Sequence, residues 1–227
     1  MEISRTFPVN ELFFSFQGEG CHMGKSAFFV RTNGCPVGCL WCDSAQTWHR
    51  DYKTRGRHLS AVQILHEVGD ASPEFLVMTG GEPALHDWST FNQTIYPLHI
   101  ETCGAFEIKG SFSWVTVSPK TEKPPTIENI KRADEIKIVV ENESSILRWE
   151  NLIQEHNPQV PVWLTPEWGC RNDPDTLGVI VDFVKNAFAL NYRAGFQLHK
   201  LYKVDAYDDR TVPPVPLGGN PLRGASI

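Results

Sequence analysis

The stretch "NGCPVGCLWCDS", residues 33 to 44, places three cysteines within eight positions in the pattern CxxxCxxC. A closed structural zinc site usually takes four ligands, and disulfides use cysteines in pairs, so an isolated triplet is typical of neither. Three thiolates on a 4Fe-4S cubane leave one iron open to a substrate or cofactor. A zinc site that takes Cys21, Cys103 or Cys170 as its fourth ligand is the alternative.

The composition favours a cytoplasmic protein with a small-molecule ligand. Six cysteines in 227 residues are few for a disulfide scaffold, and the start "MEISRTFPVNELFF" lacks the pattern of a signal peptide. No window reaches the roughly 18 apolar residues that cross a bilayer. A net charge of -6 argues against a broad nucleic-acid surface. We expect one domain over residues 1–227, with an irregular Pro/Gly-rich tail over 205–227, and no membrane or nucleic-acid partner.

Short apolar runs alternate with segments of helical periodicity, which predicts repeated βα units and a mainly parallel sheet. The predicted strands are residues 27–32, 75–80, 98–102, 114–118, 135–140, 160–165 and 195–200. One helix is predicted from about Ser60 to Val68, with Ser60 and Gln63 at capping-box spacing and Gly69 at its end. Another starts at Asp173, with Pro174 in its first turn. Its apolar stripe consists of Leu177, Ile180, Val181, Val184 and Phe188.

Residues of types that bind ligands or take part in reactions follow the predicted strands at their carboxyl ends. The cysteine segment follows the first, "TGGEP" the second, "ETCG" the third, "SPK" the fourth and "TPEW" a later one, while "HK" closes the last. In parallel βα architectures this edge is where ligands bind, because its loops converge on one mouth. Any one of these segments could be turn chemistry, but together they indicate a single site.

Several motifs together resemble one family. These are "LFFSFQGEGCHMGKSAFFVRTNGC" before and within the triplet, then "CDSAQTW", "TGGEP", "IETCG", "VSPK" and "QLHK". Over about residues 11 to 200 the chain resembles the 7-carboxy-7-deazaguanine synthase family of the radical S-adenosylmethionine superfamily. The resemblance implies an α/β fold of the incomplete βα-barrel type. "QGEG" with the cysteine loop is the most specific part of the match.

The resemblance also implies a reaction, that of a carbon–nitrogen lyase of queuosine-type deazapurine biosynthesis. A reduced 4Fe-4S cluster donates an electron to S-adenosylmethionine, and the resulting deoxyadenosyl radical takes the C6 hydrogen of 6-carboxy-5,6,7,8-tetrahydropterin. The ring then contracts to 7-carboxy-7-deazaguanine with loss of ammonia, and the cofactor is regenerated. The protein contributes position and electrostatics to this chemistry.

By resemblance, Cys35, Cys39 and Cys42 hold the cluster. The positions matching the family's S-adenosylmethionine contacts are Trp41, Cys42, Asp43, Gly80, Gly81, Glu82, Ser118, Pro119, Lys120, Thr165, Pro166, Glu167 and Trp168. Glycines allow a close backbone approach and a carboxylate can accept from an ammonium group, although "GGEP" alone could be a plain turn. The family more often has Gln at the position of Thr165 and Asn at that of Cys103.

The matching substrate positions are Phe16, Gln17, Gly18, Glu19, Arg31, Thr79, Glu101 and His199. Carboxylates suit the amino-amide edge of a pterin, and an arginine suits its carboxylate. The structural alternatives are an arginine at a strand end that reaches solvent, or polar groups satisfied within the fold. Ser44 matches the family's Mg2+ ligand, and Mg2+ accepts few protein ligands. The alternative for Ser44 is ordinary turn chemistry.

The resemblance further implies an electron donor such as flavodoxin or ferredoxin, and a homodimer. Two other functions stay open from the sequence. One is a radical S-adenosylmethionine activase of a partner protein, and the other is a zinc-stabilised binding module without catalysis. Turnover without a partner separates the first from the synthase, and the brown colour of an iron–sulfur protein separates the second.

Overall fold

A single nine-stranded sheet organises the residues that the computed structural model describes, which are 5–49, 56–186 and 190–204. Its order is β3-β1-β2-β4-β5-β6-β7-β8-β9. The strands are β1 (Thr6–Phe16), β2 (Ser26–Thr32), β3 (Arg57–Ser60), β4 (Phe75–Gly80), β5 (Leu98–Thr102), β6 (Trp114–Val117), β7 (Glu135–Val140), β8 (Pro161–Pro166) and β9 (Asn191–Ala194). Neighbours from β2 to β9 are parallel. Because β3 and β9 are opposite edges, the sheet stays open, which confirms the predicted α/β fold.

Five α-helices connect the strands in the described residues: α1 (Ala61–Val68), α2 (Ile127–Arg132), α3 (Glu143–His156), α4 (Pro174–Lys185) and α5 (Leu198–Leu201). The predicted capping box of α1 is confirmed. The Gln63 N–H donates to Ser60 Oγ at 3.3 Å, and the Ser60 N–H donates to Gln63 Oε1 at 2.9 Å. These two bonds satisfy N–H groups that a helix start leaves without intrahelical partners.

Helix α4 begins as predicted, with Asp173 as its N-cap and Pro174 in the first turn, but the predicted apolar stripe is partly wrong. Leu177 is 37% exposed and Val181 49% exposed, whereas Ile180 is buried. The hydroxyl of Thr176 donates to the carbonyl of Glu141, at the end of β7, with a distance of 3.1 Å. This bond turns the Thr176 and Ile180 face of the helix toward the sheet. Phe188 lies outside the described residues.

The two faces of the sheet have different environments because side chains alternate along each strand. One face carries the main apolar core with the helices, including Val30, Met78, Ile100, Ile136 and Leu164. The opposite face carries a small apolar cluster of Phe13, Ala27, Phe29, Phe75 and Val77. Polar residues of the alternate register, such as Arg31, Thr79 and Glu101, continue that face toward the carboxyl edge. The interior of the partial barrel is therefore apolar at one end and polar at the other.

The sequence did not predict β1 or β3. A β-bulge interrupts the pairing of β1 with β2 between Val9 and Glu11. The extra residue changes which face the following side chains take, so Val9 packs in the helix-side core while Phe13 packs in the interior. A strand with such a bulge does not show a continuous alternation, and this explains why its pattern was not recognised.

The predicted strand over residues 195–200 is wrong. Strand β9 ends at Ala194, and α5 begins at Leu198. The Gly195 N–H still donates to the carbonyl of Leu164 at 2.8 Å, but the Leu198 N–H donates instead to the carbonyl of Gly18 at 3.0 Å. The chain therefore leaves the β8 edge and packs across the mouth of the barrel. In the described ranges no helix is long and apolar enough to cross a membrane.

Candidate active site

The cysteine triplet lies in the loop after β2, at the carboxyl edge of the parallel strands. Cys39 is buried and packs with Val37 and Cys103. The side chains packed against this group are those of Cys35, Trp41, Cys42, Ala105 and Phe106. The indole N–H of Trp48 donates to Cys42 Sγ at 3.3 Å. The loop therefore gathers the three predicted cluster ligands in one apolar pocket.

Burial raises the pKa of all three thiols, because a thiolate in an apolar pocket loses its hydration. For Cys39 it reaches about 12 in spite of the nearby Lys120 ammonium. The three thiols share one apolar pocket, and a cubane takes each thiolate on a different iron. The donor set therefore fits a 4Fe-4S cluster.

The segment Ser118–Lys120 follows β6 and lies beside the cysteine loop. The ammonium of Lys120 donates to the carbonyl oxygen of Ser118 at 2.7 Å and to its hydroxyl at 2.5 Å. It also lies 5.3 Å from the centre of the Trp41 ring, within cation–π distance. Burial lowers the pKa of Lys120. Two of the predicted cofactor-binding segments are thus in direct contact.

The glycines of "TGGEP" join the loop after β4 to the cysteine loop. The Gly81 N–H donates to the carbonyl of Thr32, and the Glu82 N–H donates to that of Gly34, both at 2.8 Å. A Cβ at Gly81 would lie 2.1 Å from the Gly34 carbonyl oxygen, so this position excludes any side chain. In the structure the close approach is between two loops of the protein. Contact of Gly80 and Gly81 with a cofactor remains a prediction.

Glu82 clamps the loops after β4 and β5 together. It is 1% exposed, and its carboxylate accepts from the Ala84 N–H at 2.9 Å, the Cys103 N–H at 2.8 Å and the Thr102 hydroxyl at 2.5 Å. A carboxylate has about four lone-pair sites. Three donors of the protein itself therefore occupy most of the acceptor capacity that the sequence assigned to the cofactor's ammonium group.

This geometry predicts that Glu82→Gln destabilises the protein. A glutamine has one oxygen acceptor and brings an amide donor, so at least one buried donor loses its partner. We expect the free energy of unfolding to fall by about 1–3 kcal/mol. Denaturant titration of the metal-free protein measures it, with the exposed Glu74→Gln as the matched control. Equal stability of the two variants would contradict the clamp.

Arg31 and Ser44, predicted to bind the substrate carboxylate and Mg2+, are in contact. Arg31 Nη1 donates to Ser44 Oγ at 3.0 Å, and Arg31 Nε forms an ion pair with Glu11. The guanidinium also lies 5.4 Å from the centre of the Phe13 ring. The bulge in β1 places Glu11 and Phe13 on the interior face, where both hold the guanidinium in position. The sequence did not predict these two partners.

Asp43 connects the cysteine loop to the last described helix. Its carboxylate accepts from Lys200 Nζ at 3.0 Å, from Gln197 Nε2 at 3.4 Å and from Ser44 Oγ at 3.3 Å. Lys200 also lies 5.0 Å from the centre of the Trp168 ring. The cluster loop, the predicted magnesium ligand and the segment after β8 therefore meet through one lysine and one carboxylate.

The remaining polar substrate candidates form a network around Glu101. Its carboxylate accepts from Gln17 Nε2 at 2.9 Å and from the Thr79 hydroxyl at 3.4 Å. Lys137 Nζ lies 3.3 Å from Glu101 and 2.9 Å from Glu19, so one ammonium bridges two carboxylates. Burial would raise the pKa of Glu101, but Lys137 and the hydrogen bonds outweigh it and hold the pKa below its usual value.

Phe16, Gly18 and His199 meet where the end of β1 packs on α5. A Cβ at Gly18 would lie 2.0 Å from His199 Nδ1, so only glycine leaves room for the imidazole. The Phe16 ring lies 5.7 Å from that of Tyr202. Burial lowers the pKa of His199, which favours the neutral imidazole at neutral pH. His199 thus reaches the mouth from a helix and not from the predicted strand.

The segment Thr165–Trp168 ends β8 at the same edge. Thr165 and Pro166 are buried, and the carboxylate of Glu167 accepts from the Gly169 N–H at 2.8 Å. The Trp168 ring carries the guanidinium of Arg171 at 4.5 Å as well as the Lys200 ammonium. The carboxylate of Glu167 thus contacts its own loop, while the Trp168 ring faces cations of the mouth.

Sequence reasoning missed three charged residues of the site, namely Glu11, Lys137 and Lys200. A signal existed for Lys137, because a lysine inside the apolar run "EIKIVV" occupies the register that faces away from the core residues Ile136 and Ile138. Such a lysine requires a buried partner. Glu11 and Lys200 lie in segments whose strand and helix assignments were missing or wrong.

Comparison with known proteins agrees with this geometry. Residues 16–133 match a family model described as a 4Fe-4S single cluster domain. A 7-carboxy-7-deazaguanine synthase of Synechocystis sp. is 35% identical over 167 residues, which cover 72% of this chain and 79% of the relative. One of Flavobacterium psychrophilum is 31% identical, over 90% of this chain and 95% of the relative.

The fold agrees as well. The crystal structure of QueE from Escherichia coli superimposes with a TM-score of 0.74 at 29% identity, and covers 86% of this chain and 95% of its own. The synthase of Escherichia coli is 32% identical over 87% of this chain. The chain therefore belongs to the 7-carboxy-7-deazaguanine synthase family, whose members are radical S-adenosylmethionine enzymes with a 4Fe-4S cluster.

Proposed function

We propose that the chain converts 6-carboxy-5,6,7,8-tetrahydropterin to 7-carboxy-7-deazaguanine with loss of ammonia, as a step of queuosine-type biosynthesis. The observation that carries the proposal is the contact between Arg31 and Ser44, 3.0 Å apart. It joins the cysteine loop directly to the polar interior of the barrel. A carboxylate-bearing heterocycle bound there would lie beside a cofactor held at the cysteine loop.

Cys35, Cys39 and Cys42 would hold a 4Fe-4S cluster, which supplies the electron that cleaves S-adenosylmethionine. The surrounding segments would bind that cofactor. These are Trp41–Asp43, Gly80–Glu82, Ser118–Lys120 and Thr165–Trp168. Because Glu82 is engaged by three donors, its contribution would come mainly from fixing the loop backbone. The electron donor would be of the flavodoxin or ferredoxin type, and Leu40, 75% exposed between two of the cysteines, supports its docking at this loop.

The interior of the barrel would orient the pterin. Arg31 would bind its carboxylate with the fork of the guanidinium. Glu19 and Glu101 would accept from the amino-amide edge, and a neutral His199 would complete the mouth. Phe16, Gln17, Gly18 and Thr79 would line the same space. The single domain over residues 1–227 and the homodimer remain predictions, and the predicted tail over 205–227 lies outside the described residues.

Ser44 would bind Mg2+ together with the substrate carboxylate. Mg2+ takes oxygen ligands and keeps several positions for water or substrate, so one hydroxyl of the protein can suffice. In the structure Ser44 Oγ lies between Arg31 and Asp43, where a cation and a substrate carboxylate would find complementary charge. Such an ion would orient the substrate and stabilise charge that develops during ring contraction.

We therefore expect Ser44→Ala to keep the cluster and to bind S-adenosylmethionine, but to lose the stimulation of turnover by Mg2+. Ser44→Thr is the matched control, because it retains a hydroxyl and should keep the stimulation. Turnover measured over a range of Mg2+ concentrations checks both. A Ser44→Ala variant that responds to Mg2+ as the parent does would exclude Ser44 as the ligand.

The function is tested by incubating reconstituted protein without oxygen with 6-carboxytetrahydropterin, S-adenosylmethionine, a reductant and Mg2+, followed by mass spectrometry. The expected product is 7-carboxy-7-deazaguanine, with release of ammonia. Absence of this product in a brown, folded sample would reject the proposal. The same assay separates an activase, which requires a partner protein, and a colourless sample would indicate a zinc-bound module.

A further inference from the structure

Lys137 is a buried charge that the proposed function does not yet use. It lies in β7, where Ile136 and Ile138 face the helix-side core, so its own side chain enters the interior of the barrel. The side chain is 9% exposed. Lysine is almost never buried to this degree without partners, and removing it from water is costly unless its charge is compensated. The role of Lys137 is therefore inferred from the groups that its ammonium contacts.

Two carboxylates compensate the ammonium, and both belong to the predicted substrate set. Lys137 Nζ lies 2.9 Å from Glu19 Oε2 and 3.3 Å from Glu101 Oε1. The side chains of Glu19 and Glu101 keep 18% and 21% of their surface exposed, so each remains accessible from the mouth. One cation against two anions leaves an excess negative charge facing that space. Such a pair suits a ligand edge that carries two hydrogen-bond donors.

The ammonium also favours the ionised form of Glu101. Burial raises the pKa of a carboxyl, and a second carboxylate nearby raises it further. Lys137 is the largest influence that lowers the pKa of Glu101. Without this cation, Glu101 is protonated more easily at moderately acidic pH. A protonated carboxyl donates a hydrogen bond and so opposes the donor groups of a pterin edge.

Other titratable or charged side chains lie near the group formed by Lys137, Glu19 and Glu101. They are Arg31 on β2, His99 on β5, Lys120 after β6, Glu135 on β7 and His199 on α5. Burial lowers the pKa of His99 to about 3 and lowers that of His199, so neither imidazole supplies a cation near neutral pH. Arg31 is held by Glu11 and Ser44. Within the part of the chain that the structure describes, Lys137 is thus the cation that contacts both Glu19 and Glu101.

We propose that Lys137 is a positioning residue for the substrate: its ammonium holds the carboxylates of Glu19 and Glu101 in place as hydrogen-bond acceptors for the amino-amide edge of the pterin. The proposal rests on the proposed function, and it adds a residue outside the sequence-derived site. It also gives a physical reason for selectivity between pterins that differ at position 2. Two carboxylate acceptors favour a 2-amino pterin over an analogue with a 2-oxo group in its place, because the 2-oxo oxygen is itself an acceptor and cannot donate to a carboxylate.

The test measures equilibrium binding of 6-carboxytetrahydropterin, without oxygen, to the holoenzyme loaded with S-adenosylmethionine. We expect Lys137→Met to weaken binding by about 10- to 100-fold, the loss of a hydrogen bond to a charged group. The effect on kcat should be smaller than the effect on KM. In Lys137→Met the acid limb of the pH profile of kcat/KM should move to higher pH, because Glu101 loses the cation that lowers its pKa. The ratio of affinities for the 2-amino pterin and its 2-oxo analogue should become smaller.

Lys137→Gln and Lys137→Arg separate positioning from a merely structural role. Lys137→Gln is neutral but still donates hydrogen bonds, so it should fold and should show the shifted acid limb. Lys137→Arg keeps the charge and should restore the limb of the parent. These two variants carry the test if Lys137→Met does not fold. Lys131→Met, on the exposed surface of α2, is the control and should match the parent.

The outcomes distinguish this inference from the function on which it rests. A parent protein that neither binds the pterin nor forms the deazaguanine would reject the proposed function. A parent that does both, with Lys137→Gln showing the same affinity and the same acid limb, would reject the role of Lys137 alone. Loss of stability in Lys137→Gln without a change in the pH profile would also reject it, because that result describes a structural residue.

Discussion

Cys39→Ala is expected to abolish both cluster binding and turnover. Cys39 is the buried member of the triplet and packs at the centre of the cysteine pocket. Anaerobic reconstitution of the parent should give about four irons per chain, the content of one cubane. With only two cysteines left, the cluster loses a third of its protein ligands, and the brown colour should disappear. Iron analysis and the absorption spectrum measure the loss, and product analysis measures turnover.

The control for this prediction is replacement of Cys21, Cys103 and Cys170 together by alanine. These three lie outside the CxxxCxxC pattern, although Cys103 packs directly against Cys39. Iron content should remain largely intact in the triple variant. If the triple variant loses its cluster while Cys39→Ala retains it, the ligands have been assigned to the wrong residues.

Arg31→Met is expected to weaken substrate binding by about 2 to 5 kcal/mol, the usual cost of removing one partner of a buried charge pair. This corresponds to a loss of affinity between about 30-fold and several thousand-fold. The reason is that the guanidinium, held in the mouth of the barrel by Glu11 and Ser44, would bind the substrate carboxylate. Equilibrium binding of 6-carboxytetrahydropterin to the holoenzyme measures the change.

Arg31→Lys sharpens this result, because it keeps the charge but removes the fork, and it should recover only part of the affinity. The exposed Arg148→Met serves as the surface control. Cluster assembly should survive in all three variants, and iron content checks it. A brown, folded Arg31→Met variant with the affinity of the parent would return Arg31 to a structural role.

The sequence predicted the parallel strands and their common edge, because alternation and helical periodicity are local properties. Six of the seven predicted strands agree with the structure to within one residue. Since parallel strands share one carboxyl edge, the loops that follow β2, β4, β5, β6 and β8 had to meet. The cysteine loop and "TGGEP" could therefore be assigned to one site before their contacts were known.

The partners of the site residues could not be predicted in the same way. Glu19 and Lys137 are 118 positions apart, and Gln17 and Glu101 are 84 apart, so no local pattern joins them. The bulge in β1 changed the face of Glu11 without an obvious signal. Glu82 was predicted to contact the cofactor because its position matches a cofactor contact of the family that the sequence resembles. Its three internal donors became visible only in the folded chain.

The contacts between the amino-terminal part of the chain and the segment around α5 have a consequence for biosynthesis. The carboxylate of Asp43 accepts hydrogen bonds from Gln197 and Lys200, which lie 154 and 157 positions away. The carbonyl of Gly18 accepts from the Leu198 N–H. A ribosome releases the cysteine loop long before it releases α5. During synthesis the cysteine loop therefore lacks its contacts with Gln197 and Lys200. Contacts between residues so far apart in sequence form slowly. Cluster loading is accordingly expected to follow release of the chain, and an arrested nascent chain should bind S-adenosylmethionine poorly.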